Sequence, residues 1–190
     1  MNEGDRLTVV TPPSGLAVSL ATLKEAIHLV GDDENATLTR YIYVATELVS
    51  RYLRRTLMST TYLFGIDAWR EPLRLPRAPL ASVTSVTYLD TDDVSQTWAA
   101  SNYIVDTARE PGEITRACGV SFPSLGHPTA AQPSLVVVRY VAGYASAAAI
   151  PYDIQEAIVR AATTLYETRG EMRVLPDYVR CLLGNHVREF

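Results

Sequence analysis

Apolar positions along the chain follow two different periods. From Ser19, a natural N-cap, Leu20, Leu23, Ile27 and Val30 fall on one helical face and Gly31 supplies a stop, which predicts a helix over 19–30. After the acidic turn Asp32-Asp33-Glu34-Asn35, residues Leu38, Tyr41, Ile42, Ala45, Leu48, Val49 and Tyr52 recur at steps of three and four, predicting a longer helix over 35–55. Residues 1–18, with Thr11-Pro12-Pro13-Ser14-Gly15, carry no clear period and read as an extended N-terminal arm.

Between 56 and 144 the pattern shortens to β-rich runs separated by Pro, Gly and Asp: Thr60 to Ile66, Ser82 to Leu89, Ser95 to Trp98, Asn102 to Asp106, Gly112 to Arg116 and Leu135 to Val141. Five or six strands are expected, with Asp90-Thr91-Asp92-Asp93 as a hairpin turn and the proline-bearing stretch Ser121 to Pro133 as a loop. Pro151 then opens a third helix over 151–168, with Ile154, Ala157, Ile158, Ala161, Ala162 and Leu165 as a stripe that allows close helix packing. A separate segment over 170–190 places Val179, Leu182, Leu183 and His186 at helical spacing before Phe190. These readings predict an α+β chain, ordered as two helices, a β block, a third helix and a short amphipathic C-terminal tail. The body of the chain is one domain over 19–169.

Composition narrows the function. The 190 residues are 47% hydrophobic and 20% charged, and 17 basic against 21 acidic side chains leave a net charge of -4. That balance argues against a protein whose main business is coating nucleic acid, since such binding draws on many Lys and Arg contacts to phosphate. Cys118 and Cys181 stand far apart with no metal-ligand spacing, so neither a zinc site nor a disulfide framework is indicated. The N-terminus carries acids where a signal peptide wants a basic start, and the most apolar run, Leu135 to Val141, is broken by Arg139 and too short to span a bilayer.

The motifs of enzymes are missing: no P-loop, no dinucleotide-binding glycines, no His-Glu-x-x-His and no Gly-x-Ser-x-Gly. His28, His127 and His186 lie in three different segments, and the two acidic clusters read as a helix-capping turn and a solvated hairpin rather than cation sites. No catalytic residue, metal ligand or cofactor is therefore expected. Two features remain. Arg51, Arg54 and Arg55 close the second helix; they either complement the negative end of that helix or form a basic patch for DNA or an acidic protein. The tail's apolar groups either fold back on their own domain or insert into a partner groove.

Several strings resemble, in order and spacing, the head-tail connector (adaptor) proteins of long-tailed bacteriophages and of phage-derived gene-transfer particles. They are Val18-Ser19-Leu20-Ala21, Pro79-Leu80-Ala81-Ser82-Val83-Thr84, Tyr103-Ile104-Val105-Asp106, Pro111-Gly112-Glu113-Ile114, Val138-Arg139-Tyr140-Val141-Ala142-Gly143-Tyr144, Ile150-Pro151-Tyr152-Asp153 and Tyr166-Glu167-Thr168-Arg169-Gly170. The likeness runs from Leu16 to Leu183 and departs at Tyr52-Leu53-Arg54-Arg55, where a glycine is expected just after the second helix.

The resemblance implies a fold that is mainly a helical bundle (two N-terminal helices and one C-terminal helix) with a β-rich insertion and an amphipathic C-terminal tail. It implies a structural, non-enzymatic protein that forms a homo-oligomeric ring, twelvefold, docks on the portal, meets a tail-side neck or stopper protein and lines a channel that DNA only transits. It places the protein in the neck of the particle, made in the bacterial cytoplasm and away from membranes. It also makes Val179, Leu182, Leu183 and Phe190 the expected portal-docking residues. The alternative is a DNA-binding accessory module using Arg51, Arg54 and Arg55.

Overall fold

The computed structural model describes residues 5–172 and 174–187. They form two compact units, each discontinuous in sequence. One takes the described part of Met1–Pro13 with Ser59–Gly143; the other takes Ser14–Met58 with the described part of Tyr144–Phe190.

In chain order the strands of the first unit are β1 (Arg6–Thr11), β2 (Thr60–Ile66), β3 (Leu73–Arg74), β4 (Leu80–Leu89), β5 (Ser95–Trp98), β6 (Tyr103–Asp106), β7 (Glu113–Arg116) and β8 (Val136–Ala142). They make an antiparallel five-stranded sheet, ordered β1-β2-β8-β4-β5, and an antiparallel three-stranded sheet, ordered β3-β7-β6. The period of two decides what each strand buries. Tyr62, Phe64 and Ile66 of β2 and Val136, Val138, Tyr140 and Ala142 of β8 point into one core, while Arg139 between them is exposed. Their register runs unbroken from Thr60 opposite Ala142 to Ile66 opposite Val136. A one-residue slip would turn every one of those side chains to the wrong face, so burial fixes the pairing.

Aromatic rings close the core. Tyr62 and Tyr140 stack with centroids 5.6 Å apart, and Trp69 lies 4.9 Å from both Trp98 and Phe122. The Arg116 guanidinium covers the outer side of Phe122 at 4.7 Å and donates to Glu71 and to the Val120 carbonyl, tying the loop after β7 to this cluster.

The second unit holds α1 (Leu20–Ala26), α2 (Asn35–Leu53), α3 (Tyr152–Glu167) and α4 (Asp177–Leu183). Helix α3 packs against the other three. Leu38, Ile42, Ala45 and Val49 of α2 and Ile154, Ala157, Ile158, Ala161 and Leu165 of α3 are fully or almost fully buried, each set at steps of three and four. The small side chains at 157 and 161 let helix backbones approach closely.

Helix ends share a geometry that the sequence does not advertise. In α1 the amides of His28 and Leu29 donate to the carbonyls of Glu25 and Lys24. In α2 those of Arg54 and Arg55 donate to Arg51 and Ser50, and in α3 those of Arg169 and Gly170 donate to Tyr166 and Leu165. Each is a Schellman motif, whose left-handed residue is usually glycine. Here it is His28, Arg54 and Arg169, with φ of 54°, 54° and 53°. The glycine missing after the second helix is thus replaced by an arginine in the same backbone conformation.

The expected architecture, a mainly helical bundle of three helices with a β insertion, is overturned. Among the described residues there are four α-helices and two antiparallel sheets, of five and three strands. Three physical reasons account for the difference. The β segment buries its own aromatic and aliphatic core and so is a body in its own right, not an appendage. The segment read as an arm contributes β1 to that body. The apolar spacing of the tail forms a fourth helix inside the helical core.

Candidate functional site

Docking is expected of the C-terminal segment. Pro176 and Asp177 start α4, which lies against α3. Val179 and Leu183 are 0% exposed and Leu175 is 5% exposed, all within the core of the helical unit. Leu182 is half-buried, and Phe190 lies outside the described residues. Of the predicted docking residues, two are therefore engaged by the protein's own fold, and the face that α4 turns outward carries Tyr178, half exposed. The Tyr178 hydroxyl pairs with Thr164 Oγ1 at 2.6 Å, tying α4 to α3.

A second tie holds the end of the segment. His186 Nε2 lies 2.5 Å from Asp153 Oδ2 at the start of α3, and the other Asp153 oxygen accepts from the Ile154 amide. Burial acts to raise the Asp153 pKa, but these hydrogen bonds and the nearby imidazole outweigh it and hold the carboxyl below its ordinary value. Sequence spacing gave no hint of this pair, because 33 residues separate the partners.

The structure disperses the arginines proposed as a basic patch. Arg51 is exposed and paired with Glu47 at 2.9 Å, Arg54 is the exposed left-handed residue of the helix stop, and Arg55 is 5% exposed. They offer no common charged face, and the DNA-binding alternative gains no support.

Local turn chemistry consumes the acidic clusters. Asp32 accepts from Lys24 Nζ at 2.7 Å and from Asn35, which holds its carboxyl below the usual range. Asp90 accepts from the Val94 amide, the Gln96 side chain and the Asp92 amide, and is lowered for that reason. Asp93 caps the His127 amide at 2.7 Å. Among the described residues no group of three or more His, Cys, Asp or Glu side chains is placed to hold a metal ion, and no helix is long and apolar enough to cross a membrane. Cys118 and Cys181 are exposed free thiols.

What sequence reasoning missed is the edge of the five-stranded sheet. Strand β1 carries Val9, 52% exposed, and Val10, 40% exposed. The signal was present in Leu7-Thr8-Val9-Val10-Thr11, a β-branched run that the following prolines disguised as an arm.

No protein-family model matches the chain, and no curated protein matches it. Solved structures do. A chain in the virion of a native gene transfer agent particle shares its fold with a TM-score of 0.76 at 24% sequence identity. A chain in the neck of an empty gene transfer agent particle, computed with C6 symmetry, gives 0.75 at 26% identity, and one in the neck of the native particle, computed with C12 symmetry, gives 0.72 at 25%. Each match covers 97% of this chain and 97% of the other, so it takes in both units rather than one. The solved structures this chain is similar to over nearly its whole length are thus components of gene transfer agent particles, two of them of the neck.

Proposed function

We propose that this protein is a structural subunit of the neck of a phage-like particle, a head-tail connector that works as a ring of identical copies. The observation that carries the reading is the match over 97% of both chains to components of gene transfer agent necks, at 25–26% identity and TM-scores of 0.72–0.75. The symmetries of those necks, C6 and C12, support a ring and favour a twelvefold one. The role is non-enzymatic, in keeping with acidic side chains that serve turns and a histidine that serves a helix contact.

In this reading one face of the ring meets the portal and the other a tail-side neck protein, and DNA passes through without being held. A chain of net charge -4 suits that passage, because a wall rich in phosphate contacts would retard the genome. The C-terminal segment remains the element we assign to the portal, with a division of labour: Val179 and Leu183 hold α4 on α3, while Tyr178 and Leu182 face the partner.

The test is co-purification of the full chain with the portal protein encoded by the same genome, followed by electron microscopy of the complex. A ring seated on the portal is expected. Failure of a folded chain to bind portal, with no ring formed, would overturn the reading.

A further inference from the structure

Four strands end the two sheets, β1 and β5 in one and β3 and β6 in the other. Sheet edges are kept from pairing with other chains by being short, or by carrying proline or charge. Strand β3 has 2 residues and β5 and β6 have 4 each, whereas β1 has 6. Its single charged residue, Arg6, stands at its first position, and Pro12 and Pro13 come only after its end.

The two halves of β1 are held unequally. At its start the Asp5 carboxylate, 3% exposed, pairs with Arg70 at 2.7 Å, and Leu7 packs against the β core. From Thr8 to Thr11 every residue is exposed, and the ladder to β2 shifts register between Val9 and Thr11. This half offers a row of backbone amides and carbonyls, flanked by Val9 and Val10, to whatever lies alongside.

We propose that the open edge of β1, with Val9 and Val10, is where the neighbouring copy of this chain is received in the assembled ring. The inference rests on the ring reading above. In a ring each copy touches two neighbours through a head-to-tail contact, which needs two different patches per copy. A strand edge present once per subunit is one such patch, so the surface that meets it on the next copy is not that copy's own β1.

Two measurements on the full chain decide this. The first is amide hydrogen exchange of the wild-type protein, free and in the ring formed on its portal. Residues 8–11 should exchange on the order of tenfold more slowly, or slower still, in the ring. Equal exchange in the two states overturns the proposal. The second is the double substitution V9D/V10D, which should leave thermal unfolding of the free chain unchanged while abolishing ring formation. A ring of normal copy number from that variant overturns the strand assignment and leaves the ring reading intact. If the wild-type chain forms no ring with portal present, the ring reading falls and takes this inference with it. A two-fold dimer joined through two β1 edges likewise overturns it. Should the variant fail to fold, exchange in the wild-type ring decides alone.

Discussion

Replacing Leu183 by alanine separates a tail that is part of the fold from a tail that is merely attached to it. Leu183 is 0% exposed and belongs to the core shared by α2, α3 and α4. Truncating a fully buried leucine removes its transfer free energy and leaves a cavity, a loss of about 2–5 kcal/mol. In a chain of this size each kcal/mol moves the melting temperature by about 2–4 °C, so the transition should fall by roughly 5–20 °C. Leu182→Ala, at a half-buried position on the same helix, should cost about 1 kcal/mol or less by the same area argument. The two units can be followed separately. Both tryptophans, Trp69 and Trp98, lie in the β unit, so their fluorescence reports on it, while circular dichroism at the helical minimum reports on the other. The expected result for Leu183→Ala is an early dichroism transition with the fluorescence transition moved less. A dichroism transition identical to wild type would refute the reasoning, because α4 would then contribute nothing to the core.

Three further outcomes follow from the geometry. Arg54→Gly should stabilise the helical unit by about 0.5–1 kcal/mol, since the left-handed strain of a non-glycine residue is relieved and only part of the gain is returned as entropy of the unfolded chain; denaturant titration reads it. Gly126→Ala should destabilise the β unit and loosen the 121–133 loop, because an added Cβ would lie 2.0 Å from the Asp90 carbonyl oxygen, and limited proteolysis of that loop should quicken. The depressed pKa of Asp153 fixes the sign of a pH effect: its contribution is complete above the ordinary carboxylate value of about 3.9 and is lost as the pH falls through the lower folded value. His186→Gln should therefore flatten part of the acid limb of the stability curve, below about pH 4, measured by thermal unfolding against pH.

Local chemistry was legible in the chain, and long-range pairing was not. Ser19 caps α1 by accepting from the Thr22 amide at 3.0 Å, as its position suggests, and β2 spans Thr60–Ile66, where the alternation lies. Helix stops were misread because glycine was the expected signal. His28, Arg54 and Arg169 adopt the left-handed conformation in its place, with Gly31 and Gly170 falling later. The balance between bundle and sheet was hidden for a different reason. Strands of 2 and 4 residues carry too little period to weigh, and whether they form an insertion or a body depends on Trp69, Trp98 and Phe122 meeting across distant sequence. The tail's apolar spacing was visible, but spacing says that a face needs burial and not whose surface will bury it. An edge strand shows this most, since it is defined by the partner it lacks.

The interleaving of the two units bears on how the chain is made. Strand β1 leaves the ribosome first, yet its partner β2 lies some fifty residues on, and β2 itself waits for β8. Helices α1 and α2 are complete by Leu53, but α3, against which they pack, starts only at Tyr152. The β unit cannot close until β8 has been synthesised, nor the helical unit until α3 has, so each leaves sheet or helix surface unfinished over a long stretch of synthesis. The order of synthesis therefore favours a chain whose early strands and helices stay unpaired until their late partners arrive.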